Sequence, residues 1–110
     1  MTQPHIELHV DLSVDPARES ELVSNFQNVF RPAISHQPGF VSVALLKRRT
    51  ILGGPALEQF NYTLVICFET EEQRLTWVAT DEHQAVWPAI EKTLQGDKYN
   101  VVLYDLAPVA

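Results

Sequence analysis

The residues best suited to chemistry lie in one segment, residues 76–90, TWVATDEHQAVWPAI. His83 and Trp87 are four residues apart, so they share one face of a helix. The run Ala79-Thr80-Asp81 predicts a break just before them. A helix N-terminus disfavours an imidazolium cation, so we expect His83 to be neutral and able to accept a proton or polarise a carbonyl. The alternative is a partly buried histidine satisfied by one hydrogen bond.

Two tryptophans flank this predicted break, Trp77 before it and Trp87 after it, where Pro88 restrains the backbone. Either indole can bury its large surface in the core, or it can form the wall of a small-molecule pocket. We predict that both line a pocket for a small apolar or aromatic ligand. His83 is then the catalytic group of that pocket.

A second set of polar side chains alternates along one predicted strand and projects from one of its faces: His5, Glu7, His9 and Asp11. Two histidines so spaced can bind one zinc ion if a third ligand approaches from elsewhere. No paired ligand motif follows, so we predict no metal site. The competing interpretations are a polar cavity lining and the polar rim of a dimer interface.

Two further side chains are assigned to substrate binding. His9 is a second polar contact, and Tyr62 is a strand tyrosine whose phenol can reach a pocket or a dimer seam. Cys67 lies between apolar neighbours and is expected to be an inert core thiol. Arg18 and Arg74 come early in helices and are expected at the surface.

Known cofactor and nucleophile motifs are missing from the sequence. It has no GxSxG, P-loop or GxGxxG spacing and no flavin, nicotinamide or haem attachment signature. We therefore expect no cofactor.

The composition is that of a globular protein, with 45% hydrophobic and 20% charged residues over 110 positions, and it predicts one domain over residues 1–110. The net charge of -6 argues against nucleic-acid and anionic-membrane partners, which need a basic surface. A single cysteine, no signal-peptide pattern and no apolar run of about 20 residues favour a cytoplasmic protein without a membrane span.

Hydrophobic periodicity predicts four strands with helices between them, and the second, third and fourth strands carry apolar residues on both faces. The first helix starts with the cap Asp15 and with Pro16, and Pro32 should kink or end it. The second helical region has the capping-box pair Thr70 and Gln73 and ends at Gly96. The predicted strands are residues 5–12, 40–49, 60–69 and 99–106; the predicted helices are residues 16 to the low thirties, 71–79 and about 81–94, with a loop at 50–59.

This βαββαβ order indicates an α+β fold, the ferredoxin-like sandwich, with a four-stranded antiparallel sheet, both helical regions on one face and the second helix broken near Thr80. The first and third strands are central, and the other sheet face has no cover. Because three strands are apolar on both faces, we predict a homodimer through this open sheet face.

The sequence also resembles the antibiotic biosynthesis monooxygenase family. The resemblance lies in Gln37-Pro38-Gly39-Phe40 before the second strand and in FETEEQRLTWVATDEHQAVW after the third. It covers about residues 5–106 and implies a dimeric α/β barrel built from ferredoxin-like subunits. Family members include cofactor-independent oxygenases of aromatic polyketides, quinol oxygenases and haem-degrading enzymes.

Individual positions separate these branches. Trp77 matches a tryptophan that shapes the haem in the haem-degrading branch, but Trp87 stands where that branch has its proximal histidine and His9 near its asparagine, so haem degradation is not implied. The Asn, Trp and Tyr that line the polyketide oxygenase pocket are replaced; their positions hold Leu64, Phe68 and Leu75. His83 matches a histidine of the quinol-oxygenase-like members.

The resemblance thus implies a cofactor-independent monooxygenase of a small aromatic or quinol-like substrate. The alternative is a non-catalytic dimeric small-molecule-binding or regulatory protein on the same fold.

Overall fold

The computed structural model describes residues 5–55 and 58–107, except for the side chains of residues 97 and 98. Its strands are β1 Ile6–Val14, β2 Phe40–Lys47, β3 Tyr62–Phe68 and β4 Leu94–Asp105. Helix α1 consists of four consecutive helical segments, Pro16–Arg18, Glu19–Asn25, Phe26–Phe30 and Arg31–Ser35; the other helices are α2 Glu71–Val78 and α3 Asp81–Glu91. This order confirms the predicted α+β ferredoxin-like fold with its second helix broken at Thr80.

The four strands form one antiparallel sheet in the order β2-β3-β1-β4, so the first and third strands are central, as predicted. Side chains alternate strictly along β1, and every second one is buried. The buried set faces the helices: Ile6, Leu8, Val10, Leu12 and Val14. We call this side of the sheet the inner face.

The opposite side of the sheet, here called the outer face, has a polar central strand and more apolar neighbours. β1 contributes Glu7, His9 and Asp11, which pair across with Cys67, Val65 and Thr63 of β3. The apolar side chains of the outer face that are wholly or partly exposed include Ala44, Leu46, Val65, Val102 and Tyr104. The sequence-based expectation of apolar residues on both faces therefore holds for β2, β3 and β4.

Helix α1 begins as predicted, because the Asp15 side chain accepts a hydrogen bond from the Ala17 amide and Pro16 occupies the first turn. Pro32, however, does not end the helix, which continues to Ser35. Proline lacks an amide hydrogen and its ring clashes with the preceding turn of a regular α-helix. A π-helical turn, Phe26–Phe30, lies directly before it and widens the helix there.

The turn before β2 needs glycine at position 39. Gly39 has a φ of 81°, and a Cβ atom there would lie 2.0 Å from Gln73 Oε1 of α2. The positive φ is the conformation that favours glycine, and a larger residue would also require the end of the Gln73 side chain to move. The loop predicted at residues 50–59 is present, with residues 56 and 57 outside the described part.

The predicted end of the last helix was wrong. Helix α3 ends at Glu91, and β4 starts at Leu94 instead of Tyr99. Gly96 has a φ of 77° and lies in an irregularity of β4, where the pairing moves from Leu12–Tyr99 to Val14–Leu94. A glycine at positive φ is common both in β-bulges and at helix ends, so the presence of Gly96 in the sequence did not show which of the two structures it forms.

None of the helices in the described segments has the length and apolar character needed to cross a membrane.

Candidate functional site

Both α2 and α3 start at a threonine cap, and the second of these, Thr80, forms the corner between the two helices. Thr70 Oγ1 accepts from the Gln73 amide at 3.2 Å and starts α2. Thr80 Oγ1 accepts from the His83 amide at 3.0 Å and donates to the Trp77 carbonyl at 2.6 Å. Because one hydroxyl bonds to both helices, Thr80 fixes His83 relative to Trp77.

A cavity of about 220 Å³ lies between this corner, α1 and the inner face of the sheet. Its sheet-side wall is apolar and consists of Leu8, Val10, Ile66, Tyr99 and Val101. Its helical wall consists of Phe30, Arg74, Trp77, Val78, His83 and Trp87. Tyr99 and Val101 are exposed, which places the mouth of the cavity beside β4, an edge strand.

The cavity brings together three of the five predicted site residues, Trp77, His83 and Trp87. The Trp77 and His83 rings meet edge to face with centroids 5.1 Å apart. Phe30 links the two indoles, with centroids 6.1 Å from Trp77 and 6.4 Å from Trp87. Trp87 in turn contacts Tyr99 at 5.4 Å. Each tryptophan therefore both packs against core residues and lines the cavity.

The partly buried His83 imidazole lines the cavity. Among the described residues its buried Nδ1 has no hydrogen-bond partner, unlike the satisfied histidine of the alternative interpretation. Burial, and then the nearby Arg74 cation, lower the pKa of His83 below its ordinary value of 6.5. A neutral His83 was expected from the helix N-terminus, but burial is the main cause.

Arg74 was expected at the surface and instead lines the cavity. Its guanidinium forms a bidentate ion pair with Glu71, through Nε to Oε1 and through Nη2 to Oε2 at 2.9 Å. A signal was present in the sequence, because Arg74 lies three and four residues before Trp77 and Val78 and so shares their helix face.

The structure does not bring His9 and Tyr62 to this cavity. His9 lies on the outer face, where its Nε2 is 2.8 Å from Glu7 Oε1 and its ring contacts Tyr104. The Tyr62 hydroxyl donates to Glu19 Oε1 at 2.7 Å beside α1. Burial, and then the hydrogen bond to Glu19, raise the pKa of Tyr62 to about 12.

The three positions carried over from the polyketide oxygenase pocket also lie outside the cavity lining, and one of them, Leu75, is half exposed. Leu64 and Phe68 are fully buried core residues. In the described part of the chain, no group of three or more His, Cys, Asp or Glu side chains is arranged to hold a metal ion. His5, Glu7 and His9 are within that part, so the alternative of a zinc site on β1 has no structural support.

This geometry suits acid–base chemistry on a small apolar molecule. An engineered cavity of about 150 Å³ binds benzene, so this one can take a substituted ring or a fused pair. The apolar walls keep water away from the reacting groups, while His83 can accept a proton and Arg74 can stabilise negative charge.

Solved structures share this fold across nearly the whole chain. SnoaB, a cofactor-independent oxygenase from Streptomyces nogalater, in the structure of a point mutant, has a TM-score of 0.74 at 16% identity over 96% of this chain and 95% of its own. A Caulobacter crescentus protein described as a candidate antibiotic biosynthesis monooxygenase has a TM-score of 0.74 at 20% identity over 97% and 93%. A dimeric ferredoxin-like protein of unknown function from Jannaschia sp. has a TM-score of 0.74 at 11% identity over 94% and 99%.

No curated protein matches the chain. The family model for antibiotic biosynthesis monooxygenases does match, over residues 6–88, which include β1 and the corner that carries Trp77 and His83. The chain therefore belongs to the antibiotic biosynthesis monooxygenase family.

Proposed function

We propose that this protein is a cofactor-independent monooxygenase that acts on a small aromatic or quinol-like substrate. The observation that carries the proposal is the buried, unpartnered Nδ1 of His83 in an otherwise mostly apolar cavity. Leaving a buried polar atom unpaired costs about 1–3 kcal/mol, a cost that a bound ligand can remove.

In this proposal His83 is the catalytic base, and Trp77 and Trp87 hold the ring. His83 Nδ1 takes the proton of a substrate hydroxyl or of an acidic C–H bond, and the electron-rich anion then reduces oxygen itself. For a hydroquinone, one molecule and one O₂ give one hydroxyquinone and one H₂O, so the substrate supplies all the electrons. His9 and Tyr62 take no part in this scheme, because both lie outside the cavity.

Membership of the family and the likeness to SnoaB support this class of reaction. The substrate itself is a proposal drawn from the size and walls of the cavity. The homodimer through the outer face and the cytoplasmic location also stay predictions.

The test is oxygen uptake with a panel of hydroquinones and anthrones. We expect His83→Ala to lower the turnover of an accepted substrate by about 10²–10⁴-fold, the usual contribution of a general base. His36→Ala is the matched control, since His36 is an exposed imidazole that pairs with Glu82 at the surface. Unchanged turnover in His83→Ala would refute the assignment.

The same panel separates this proposal from a non-catalytic binding protein. Binding of the hydroquinones without any oxygen uptake by the wild-type protein would favour the binding or regulatory alternative.

A further inference from the structure

Two arginines of this chain, Arg18 and Arg74, form the same kind of ion pair with a glutamate but differ in the partner of their third guanidinium nitrogen. Arg18 binds Glu21 with Nε to Oε1 at 2.9 Å and Nη2 to Oε2 at 3.0 Å. Arg74 binds Glu71 through the same atoms. Both pairs are three residues apart on a helix, and in both the carboxylate uses two of the guanidinium nitrogens.

The third nitrogen, Nη1, differs between the two. Arg18 Nη1 donates to the Lys92 carbonyl at the end of α3. Arg74 Nη1 has no hydrogen-bond partner among the described residues, although the Arg74 side chain is only 16% exposed compared with 39% for Arg18. A guanidinium cannot lose its charge, so Nη1 keeps a free N–H edge that water or a ligand in the cavity can reach.

The surroundings of this edge favour an anion. The described lining of the cavity contains no Asp or Glu side chain, and its titratable groups are Arg74, His83 and Tyr99. Glu71 satisfies two guanidinium nitrogens and leaves one N–H₂ group unused. Charged hydrogen bonds strengthen where water is excluded, so a negative oxygen beside Nη1 gains more here than at the surface.

We propose that Arg74 makes the cavity selective for the ionised form of a compact phenol. This inference rests on the proposed function and names the substrate class: one ring or a fused pair that carries an acidic hydroxyl. The substrate O–H bond breaks, its proton goes to His83 Nδ1, and the electron pair stays on the oxygen, which then accepts a hydrogen bond from Arg74 Nη1. Arg74 is thus a specificity-determining residue that Glu71 orients.

Two small probes test this preference without any turnover. 4-Nitrophenol ionises and its anion is coloured, whereas 4-nitrotoluene has the same shape and stays neutral. The chain has two tryptophans, and both line the cavity. Quenching of their fluorescence therefore reports the binding of either probe, and absorbance reports how much bound 4-nitrophenol is ionised.

We expect the wild-type protein to bind the nitrophenolate more tightly than 4-nitrotoluene and to raise the ionised fraction above that in free solution. Arg74→Met should weaken nitrophenolate binding about tenfold to hundredfold, the usual effect of losing a charged hydrogen bond, and leave 4-nitrotoluene binding unchanged. Arg18→Met is the matched control and should bind both probes as the wild type does. Arg74→Lys keeps the charge and should retain part of the preference.

Two results would overturn the inference. One is equal affinity of the wild-type protein for both probes. The other is an equal loss of affinity for both probes in Arg74→Met, which would show that Arg74 has only a structural role. Thermal melting verifies the fold of each variant, and Arg74→Gln, which can still bond to Glu71, replaces Arg74→Met if that variant unfolds. A preference for the anion without oxygen uptake would refute only the assignment of the protein as a monooxygenase. Oxygen uptake without anion preference would refute only the role of Arg74.

Discussion

His83 combines burial with a cationic neighbour, and both act on its pKa in the same direction. Burial is the larger cause and Arg74 the smaller, and together they hold the pKa below 6.5. The base form is therefore present at neutral pH and is lost on acidification. We predict that kcat/KM for an accepted hydroquinone decreases as the pH is lowered, with a pKa below 6.5; this decrease is the acidic limb of the pH profile. The residual activity of His83→Gln should lack the acidic limb.

The comparison for this pH profile is His36→Gln, which removes an exposed imidazole and should keep the acidic limb. An acidic limb that survives in His83→Gln would show that another group is the base.

The same pKa shift predicts an effect on stability, and its sign can be worked out. Because the pKa of His83 is lower in the folded chain than in the unfolded one, the unfolded chain binds more protons between the two values. The stability that neutral His83 contributes is present above pH 6.5 and is lost as pH falls through the folded pKa. Urea unfolding on both sides of pH 6.5 should show a smaller loss on acidification for His83→Gln than for the wild type. An equal loss would contradict this.

At the residue level, spacing along the helix predicted the right group of rings. His83 and Trp87 share a helix face, and the break at Thr80 puts Trp77 beside them, which local sequence can show. The cavity position of Arg74 was not predicted, because the burial of an arginine side chain depends on the sheet beneath the helix and not on the neighbouring residues in sequence. His9 was misplaced for a related reason: alternation shows that two sets of side chains face opposite ways, but not which set faces the cavity.

At the element level, Thr80 is the connection between α2 and α3, and Thr70 offers a matched cap outside the cavity. We predict that Thr80→Ala and Thr70→Ala each lower the free energy of unfolding by about 1 kcal/mol, the usual cost of losing an N-cap. Only Thr80→Ala should also weaken 4-nitrotoluene binding, since it alone removes bonds to His83 and Trp77. Urea titration and tryptophan quenching measure the two effects.

Thr80→Ser keeps the hydroxyl and should leave both the free energy of unfolding and 4-nitrotoluene binding close to their wild-type values. Equal loss of probe binding in the two alanine variants would show that the corner does not shape the cavity.

Elements with a strict period were predictable, and irregular ones were not. The alternation of β1 predicted a strand with one apolar face, and the βαββαβ order predicted its central place in the sheet. The caps Asp15 and Thr70 predicted two helix starts. The π-helical turn before Pro32 and the irregularity at Gly96 were missed, because each depends on how a local defect is absorbed by packing. Both lie close to the cavity wall: Phe30 closes the π-helical turn, and Tyr99 follows the irregularity.

At the level of the whole molecule, the unequal faces of the sheet argue for a second subunit. The helices cover most of the inner face but leave Tyr99, Val101 and Leu103 of β4 exposed. The outer face has no helical cover and exposes Leu46 and Tyr104. Val65 lies between them on the central strand β3 and pairs with His9 and Ala44. Stable interfaces bury about 1,200–2,000 Å², and a face spanning four strands is the extended surface best suited to this. Since a two-fold axis brings like positions together, one substitution there acts twice.

We predict that the wild-type chain has twice its 12.5 kDa mass in light scattering, and that Val65→Asp is monomeric. The substitution would put an unpaired carboxylate from each subunit into the interface, which costs several kcal/mol per ion. Val23→Asp puts the same charge on the exposed side of α1 and should stay dimeric. Leu103→Asp tests the other exposed apolar area, on the inner face of β4 two residues beyond Val101 of the cavity mouth. If Leu103→Asp dissociates the dimer and Val65→Asp does not, the subunits meet across the mouth, and the cavity would then be closed by the partner.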